Sequence, residues 1–394
     1  MAKIFKWNPN QTATGQGVSV SSIVDTETGI VEGVGMGCGR VGSKTAVNRD
    51  NVLYSTLSGE PAMTLKDGVL VASLESESEN LITYSEDFTQ WGTDVNRGDL
   101  TANVTTAPNG TITASKLSKN TESEAYRYIG ISSAANDFYI FVKDDGSASP
   151  KWMSLQASTD RAWFNFQTGD VGSVSGNVTS STSEYVGSGW WKFSAVGFSA
   201  NNLPLIRLSS SDGSNSASLF SSGDGMFIWG AGTNKGSYIP TNGSTQTRDA
   251  DTGFKTPDVS SLINLNSGVL EVEMAALVNG SERRYISIDD GNAANIIRLG
   301  YSENDDRMHL LYRVNNVDLI DQDVNMGENQ TIKAKYTIIY NESEVVLKRN
   351  DVIIFNYVGS HSFSSNLIYL RLQNVNDINQ LEANVNYLKF TSNG

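Results

Sequence analysis

The sequence is poor in the residues that form covalent cross-links and metal sites. Cys38 is its single cysteine among 394 residues, so no intrachain disulfide can form. Packing, or assembly with further copies, must therefore hold the fold. His309 and His361 are the two histidines, and neither an H-x-x-H nor an H-E-x-x-H spacing occurs. Because a zinc site needs several such ligands at short spacing, we expect neither a metal nor a cofactor.

Basic clusters and long apolar runs are also absent. The formal net charge is −14, and no run of Lys and Arg suits phosphate recognition, which excludes nucleic-acid binding. No stretch approaches the roughly 20 apolar residues of a membrane span, which excludes membrane insertion. The opening residues "MAKIFKWNPN" lack the apolar core of a signal peptide. We therefore expect synthesis in a cytoplasm.

Small neutral polar residues take the place that charged residues have in most globular proteins. Charged residues make up 18% of the chain and hydrophobic residues 39%, while Gly alone accounts for 36 residues. This composition is typical of all-β proteins with many tight turns, and no long helical pattern occurs. At 394 residues the chain exceeds one ordinary core. We predict two consecutive antiparallel β-sandwich domains, jelly-roll-like, after an N-terminal segment.

Three compositional zones set the expected domain boundaries. Residues 1–44 hold eight glycines between Gly15 and Gly42 and bury too little apolar surface to fold alone. We expect this segment to attach the chain to other proteins, which would order it. Residues 45–252 contain short aromatic and β-branched runs separated by Gly, Asp and Ser turns. Residues 253–394 continue with longer and more regular strands.

The last zone has the clearest strand periodicity. The stretch "TIKAKYTIIY" (Thr331–Tyr340) alternates apolar and polar residues, which predicts a half-buried antiparallel strand. Its buried face is predicted to contain Ile332, Ala334, Tyr336, Ile338 and Tyr340. The stretch Ser343–Tyr357 predicts a hairpin with its turn at Arg349–Asp351.

No pattern of residues indicates a catalytic site. "GCGRVG" (37–42) fits G-x-G-x-x-G, but glycines precede it and no helical pattern follows, so a nucleotide site is not predicted. The acidic pairs Asp144–Asp145, Asp289–Asp290 and Asp305–Asp306 lie beside Gly or Asn, which favours turns, with a calcium-binding turn as the alternative. No G-x-S-x-G motif occurs, although a dispersed Ser-His-Asp site stays open. We predict a protein that is not an enzyme.

Tryptophans are the strongest candidates for a binding surface. Six of the seven lie in residues 45–252, more than one sandwich core requires. Sugars stack on flat rings, whereas burial in the core is the alternative for each single tryptophan. In "GWWKF" the adjacent rings must point to opposite faces, so one should be less buried. The predicted carbohydrate-binding residues are Trp152, Trp163 and Trp190.

The borders of the middle zone resemble a module of tailed-phage virion proteins. The first border is "GEPAMTLKDGVLVASLESESENLITYSEDFTQW" (Gly59–Trp91), preceded by the lead-in "TAVNRDNVLYSTLSGEP" (Thr45–Pro61). The second is "FIWGAGTNKGSYIPTNGSTQTRDAD" (Phe227–Asp251). Both are similar to the ends of a carbohydrate-binding-like β-sandwich module found in tail fibres, spikes and head decorations. The last zone resembles concanavalin-A and laminin-G-like sandwiches.

The resemblance implies a structural virion protein without catalytic residues. Its expected role is host-surface adsorption by binding a glycan or a protein, with the N-terminal segment contacting other virion proteins. A homotrimer is expected, because phage fibres usually trimerise. A purely architectural virion component is one alternative. A polysaccharide-depolymerising tailspike is the other, although the short stacked repeats of such β-helical enzymes do not occur here.

Overall fold

The chain folds as β-structure, in agreement with its composition. The structure is a computed structural model that describes residues 3–7, 21–25, 29–34, 44–48, 52–56, 63–66, 69–92, 97–121, 124–128, 136–147, 150–199, 205–234, 236–251, 260, 263–276, 284–304, 306–363, 366–371 and 383–392. One short 3-10 helix, η1 (Phe88–Gln90), accompanies the strands. Among the residues described, no helix has the length and apolar character that crossing a bilayer requires.

The strands are numbered in chain order. The first are β1 (Lys3–Trp7), β2 (Ser21–Asp25), β3 (Gly29–Val34), β4 (Lys44–Val47), β5 (Leu53–Thr56), β6 (Met63–Lys66), β7 (Val69–Ser73) and β8 (Ser78–Asn80). Next come β9 (Asp99–Thr105), β10 (Ala114–Ser118), β11 (Tyr126–Tyr128), β12 (Asp137–Asp144), β13 (Trp152–Ala157), β14 (Asp160–Asn165), β15 (Val171–Ser175), β16 (Ser180–Gly187), β17 (Trp190–Val196), β18 (Leu205–Ser209), β19 (Gly225–Gly232) and β20 (Gln246–Arg248). The last are β21 (Ser267–Ala276), β22 (Arg284–Asp289), β23 (Ile296–Tyr301), β24 (Arg307–Val314), β25 (Val317–Asn325), β26 (Ala334–Asn341), β27 (Glu344–Arg349), β28 (Val352–Val358), β29 (Tyr369–Arg371) and β30 (Ala383–Ser392).

The terminal unit comprises residues 1–43, 56–77 and 249–394. Its larger antiparallel sheet has the order β28-β27-β26-β21-β30-β1-β2-β3, and the β6–β7 hairpin joins it through β7 on β30. Its smaller antiparallel sheet has the order β25-β24-β23-β22-β29. The two sheets share one core, which includes Leu270, Val272, Met274, Tyr336 and Ile338 from the larger and Ile286, Ile288, Leu299, Leu310 and Tyr312 from the smaller.

The sequence periodicity of the terminal unit matches its strands. In β26 the predicted face is buried from Ala334 to Tyr340, whereas Ile332 precedes the strand and is 48% exposed. The predicted hairpin is β27–β28, and its two-residue turn has Asn350 at φ 48° and Asp351 at φ 67°. Two consecutive residues with positive φ form the turn type that matches the twist of antiparallel strands. Both predictions are confirmed apart from Ile332.

The central unit comprises residues 44–55 and 78–248. A six-stranded antiparallel sheet, in the order β16-β17-β12-β19-β10-β9, faces a five-stranded one in the order β11-β18-β13-β14-β15. The core between them includes Phe138, Ile140, Val142, Phe193 and Ile228 from the first sheet and Met153, Leu155, Phe164, Ile206 and Leu208 from the second. The prediction of an all-β fold with antiparallel sandwiches is therefore confirmed.

The six-stranded sheet also buries its outer face. A second cluster lies there, made of Leu53, Ala107, Ala114, Tyr139, Phe141, Val186, Trp190, Trp229 and Tyr238. The β4–β5 hairpin contributes Leu53, whose backbone N–H donates to the carbonyl oxygen of Pro108 at 2.8 Å. The lead-in therefore packs as an additional layer on this sheet.

The N-terminal region pairs within the chain. β1 pairs with β30, with Phe5 opposite Phe390, and β2 and β3 extend the same sheet. The N-terminal segment was expected to be ordered by other proteins or by further copies of the chain. The backbone groups of β1 instead form hydrogen bonds with the edge of β30 in the same chain. Residues 1–43 and 56–77 thus join residues 249–394 in one unit, a different division from the predicted ranges 1–44, 45–252 and 253–394. The attachment role of the N-terminal segment stays a prediction.

Candidate functional site

The two border segments of the central unit meet through Asn80, which is fully buried. Its Nδ2 donates to the carbonyl oxygens of Ala231 at 3.1 Å and Ile239 at 2.8 Å. Its Oδ1 accepts from the backbone N–H groups of Ile82 and Thr233, both at 3.2 Å. The side-chain amide thus uses both donors and its acceptor on backbone groups. The two stretches on which the resemblance to virion modules rests are therefore hydrogen-bonded to each other in the folded chain.

Tyr238 is the second link between these segments. It is 3% exposed, and its ring centroid lies 4.9 Å from that of Trp229. Its hydroxyl lies 2.8 Å from Ser85 Oγ and donates to Glu86 Oε1 at 2.9 Å. Burial, and then the charge of Glu86, raise the pKa of Tyr238 well above its ordinary value. Thr45 Oγ1 donates to the carbonyl oxygen of Tyr238 at 2.7 Å, which ties the lead-in to the same point.

The exit segment, residues 236–251, leaves the six-stranded sheet of the central unit. Strand β19 ends at Gly232, and Tyr238 packs on the outer face of the sheet. Arg248 is 4% exposed and donates from NH1 to Ser237 Oγ at 2.8 Å. This segment is a structural joint rather than a binding site.

The candidate binding surface is the outer face of the five-stranded sheet in the central unit. Side chains on β13 alternate between the core and this face, so Met153 and Leu155 point inward. Cross-strand pairs on the outer face are Trp152 with Asn165 and Ser209, Ser154 with Trp163 and Arg207, and Gln156 with Arg161 and Leu205. Aromatic rings, amides, hydroxyls and guanidinium groups thus share one face.

A loop of residues 210–217, here called the covering loop, lies across this face. Asp212 Oδ1 accepts from the backbone N–H and the Oγ of Ser173, both at 2.8 Å. Trp163 Nε1 donates to the carbonyl oxygen of Ser214 at 2.8 Å, and Gln156 Nε2 donates to Asn215 Oδ1 at 2.9 Å. The covering loop therefore buries the middle of the face.

The three predicted tryptophans have different environments. Trp190 is 0% exposed in the cluster on the opposite sheet, and its Nε1 donates to the carbonyl oxygen of Thr106 at 3.2 Å. Trp163 is 4% exposed beneath the covering loop. Trp152 is partly exposed, next to Gly172 and Asp212. Trp152 and Trp163 thus share a face, whereas Trp190 is a core residue with no free ring face.

The sequence analysis missed an aromatic pair at the rim of the sandwich. Trp191 is partly buried, and its ring centroid lies 5.0 Å from that of Tyr185, which is 53% exposed. As the "WW" alternation predicted, one of the two adjacent tryptophans is less buried, and that one is Trp191. Tyr185 and Trp191 are cross-strand partners on β16 and β17. The alternation of side chains along β17 does not reveal which face of the sheet the additional layer covers. It therefore could not show that Trp190, rather than Trp191, is the more buried of the two.

An arginine cluster at one end of the outer face was also missed. Arg207 lies over the ring of Tyr126, with 4.8 Å from its guanidinium carbon to the ring centroid. Glu124 contacts both Arg97 and Arg207. Arg161 lies on the same face of the sheet, two strands from Arg207. Arg161 and Trp163 are two residues apart on β14, so their side chains lie on the same face of the sheet. The sequence would show this only if β14 had been assigned as a strand.

The turn interpretation of the acidic pairs holds where the structure describes them. In each of the first two pairs both carboxylates accept from the backbone N–H two residues later: Asp144 Oδ1 at 2.9 Å, Asp145 Oδ1 at 3.0 Å, Asp289 Oδ1 at 2.9 Å and Asp290 Oδ1 at 3.0 Å. Asp305 and the "GCGRVG" stretch lie outside the described residues. Over the part of the chain that is described, no group of three or more His, Cys, Asp or Glu side chains could hold a metal ion.

Among the described residues we find one group of Ser, His and Asp side chains in mutual contact: Ser302, His309 and Asp323. Its serine contacts the aspartate and not the histidine, so the histidine cannot activate it as a nucleophile. His309 is 2% exposed, and its Nδ1 lies 3.0 Å from Oδ1 of Asp323. Ser302 donates to Asp323 Oδ2 at 2.9 Å, whereas a catalytic serine must contact the histidine. His309 Nε2 instead lies 3.4 Å from Asp321 Oδ1. His309 is therefore a buried residue with a polar partner at each ring nitrogen.

Solved structures similar to this chain are sandwich folds at low similarity. Galectin LEC-6 of Caenorhabditis elegans has 10% identity and a TM-score of 0.27, covering 35% of this chain and 89% of that chain. The CBM40 of the Ruminococcus gnavus IT-sialidase, bound to α2,3-sialyllactose, has 8% identity and a TM-score of 0.28, covering 34% and 83%. Domains LG4-5 of the mouse laminin α1 chain have 10% identity and a TM-score of 0.25, covering 68% and 85%.

No family model and no curated protein matches the sequence. The structural similarities agree with the sandwich architecture that the sheets themselves establish, and at these TM-scores they carry no argument about function.

Proposed function

We propose that the chain is a non-enzymatic structural protein of a tailed-phage virion, a fibre, spike or head decoration. It contributes to adsorption by binding a glycan or a protein on the host surface. The sequence resemblance of the two border segments supports the virion assignment. Their joint through Asn80 and Tyr238 supports the interpretation that they belong to one module.

The observation that carries the binding role is the outer face of the five-stranded sheet. There the partly exposed ring of Trp152 lies beside the carboxylate of Asp212 and the backbone of Gly172. A flat ring next to hydrogen-bonding groups is the arrangement that sugar binding uses. Trp152 is the residue of the predicted set that keeps this exposure, so it is the one to test.

The test compares binding of the labelled full chain to host cells and to a glycan array. Trp152→Ala is expected to weaken binding about tenfold, which corresponds to about 1.4 kcal/mol. Ile112→Ala is the matched control, because Ile112 is a 67% exposed apolar residue of the same unit and is not on this face. Full binding by a folded Trp152→Ala protein would remove Trp152 from the site.

We also propose that residues 1–44 contact other virion proteins and that the chain assembles as a homotrimer. Size-exclusion chromatography with light scattering checks the assembly, and a monomer at micromolar concentration would contradict it. A purely architectural role is the second candidate. A silent glycan array, together with normal adsorption by particles that lack the protein, would favour it. Release of reducing ends from host capsular polysaccharide would instead indicate a depolymerase.

A further inference from the structure

The outer face of the five-stranded sheet holds an arginine, Arg161, that has no polar partner among the described residues. Arg161 is partly buried on β14, and its Nε is inaccessible to solvent and makes no hydrogen bond. Within the described residues, no hydrogen bond or ion pair to its guanidinium group occurs. A guanidinium group has five N–H donors and is almost always charged, so an environment without acceptors is unfavourable unless a ligand supplies them.

Arg207 offers further unused hydrogen-bonding capacity on the same face. Its side chain is 12% exposed, and NH1 donates to the carbonyl oxygen of Asn215 at 2.7 Å and to Glu124 Oε1 at 3.4 Å. Its Nε is buried and has no partner in the part of the chain that the structure describes. Within that part, the two arginines therefore both carry a buried N–H group without an acceptor.

The charges around this point do not balance. Three arginines lie here: Arg97, Arg161 and Arg207. Among the described residues, Glu124 is the one carboxylate that contacts any of the three, and it contacts Arg97 and Arg207. Burial lowers the pKa of Arg207, and the positive charges of Arg161 and Arg97 act in the same direction, whereas Glu124 opposes them. The excess is positive in a chain whose net charge is −14, so it is a local feature rather than a general one.

One neighbouring side chain would suit a sugar. Arg161 and Arg207 lie on either side of β13, which places Ser154 and Gln156 between them in the register of the sheet. Ser175 of β15 is the other cross-strand neighbour of Arg161. Ser154 and Gln156 are buried, and Gln156 Nε2 donates to Ser154 Oγ at 2.8 Å, so these two side chains separate the arginines and do not contact a ligand. The partly buried hydroxyl of Ser175, next to Arg161, is the group that can bind a saccharide hydroxyl beside the carboxylate. The negative charge of the rest of the chain disfavours a nucleic acid.

We propose that Arg161 and Arg207 bind the carboxylate of an acidic saccharide, such as a uronic or sialic acid residue. The planar guanidinium fork matches a carboxylate, and the terminal N–H groups of the partly buried Arg161, which have no partner among the described residues, supply donors for it. This inference rests on the proposed function, since it names the glycan class that the outer face takes.

Isothermal titration calorimetry with the full chain tests this specificity. The probes are tetragalacturonate, a hyaluronan tetrasaccharide and α2,3-sialyllactose, each beside its methyl ester, which removes the negative charge and keeps the sugar. The protein is expected to bind at least one acid about tenfold more tightly than its ester. Arg161→Gln is expected to abolish this preference while leaving the affinity for the ester unchanged.

Two further variants make the result specific to the site. Arg161→Lys keeps the charge without the planar fork, so it is expected to retain part of the preference. Arg307→Gln removes one exposed arginine from the terminal unit and is expected to bind like the unmodified protein. Because Arg161 has no partner within the described residues, Arg161→Gln is expected to unfold at the same temperature or a higher one.

The outcomes separate this inference from the function on which it rests. If acids and esters bind equally, the charge recognition is wrong and glycan binding stands. If no glycan binds here or on the array, both fail. Unchanged acid preference in Arg161→Gln, or binding of inorganic sulfate as tight as that of the acidic saccharides, would also overturn the proposal.

Discussion

The hydroxyl of Tyr238 donates a 2.9 Å hydrogen bond to Oε1 of Glu86, although 152 residues separate them in sequence. Burial raises the pKa of Glu86 above its ordinary value of 4.5, while hydrogen bonds from Tyr238 and Trp229 act against that shift. Burial is therefore the larger effect, and the folded central unit binds a proton on Glu86 more readily than the unfolded chain does.

The raised pKa predicts that Glu86 makes stability depend on pH. Between pH 4.5 and the higher folded pKa, the unfolded state binds fewer protons at Glu86 than the native state does. Stability contributed by this group is therefore full below pH 4.5 and is lost as pH rises through the folded pKa. Glu86→Gln stays neutral and can still accept from Tyr238, so it should be more stable than the unmodified protein at pH 8.

Thermal unfolding of both proteins between pH 4 and pH 8 measures this effect. The gain from Glu86→Gln should shrink as pH falls and be absent below pH 4.5. Glu79→Gln is the control, because Glu79 is an exposed carboxylate on β8 a few residues earlier. A gain from Glu86→Gln that is constant over the whole pH range would rule out the protonation of Glu86 as its cause.

Asn80 is expected to be one of the most sensitive residues of the central unit. Asn80→Ala removes four hydrogen bonds to backbone groups at a fully buried position. Leaving buried backbone groups without partners should cost about 3 kcal/mol. For a unit of this size we expect the Tm to fall by about 6–12 °C.

The control for Asn80→Ala is Asn109→Ala. The Oδ1 of Asn109 accepts from the backbone N–H and the Oγ1 of Thr111 in an exposed turn. Water can replace those bonds, so the cost should stay below about 1 kcal/mol. Equal losses in the two variants would mean that the joint between the border segments contributes little to stability.

The sequence predicted features whose causes are local. Tyr336, Ile338 and Tyr340 were assigned to one buried face because strand side chains alternate, whatever the partner strand is. The turn at Asn350 and Asp351 follows from the tolerance of these residues for positive φ. In both cases the determining interactions lie within a few residues.

Features that depend on distant segments were not predictable in this way. Trp190 and Trp191 were known to point to opposite faces, but the layer that buries Trp190 includes Leu53 from the β4–β5 hairpin. Trp163 is buried by Ser214 in a loop that follows β18. Burial of a single side chain thus depends on tertiary packing that periodicity does not encode. For the same reason the sequence could not show that Arg161 has no polar partner among the described residues.

Gly169 tests the packing of the aromatic rim. It has φ +80°, and an added Cβ would lie 2.3 Å from the ring of Trp191. Gly169→Ala should therefore combine backbone strain with a steric clash, at a cost of about 3 kcal/mol measured by urea unfolding. Gly146 is the matched control, because its φ is +79° and nothing lies within 4 Å of the added Cβ.

Gly146→Ala carries the strain alone, so it should cost about 1 kcal/mol. The difference between the two glycines measures the contact with Trp191. In a Trp191→Ala background the clash disappears, and Gly169→Ala should then cost no more than Gly146→Ala does. If the two substitutions cost the same in the unmodified protein, Trp191 does not pack on Gly169.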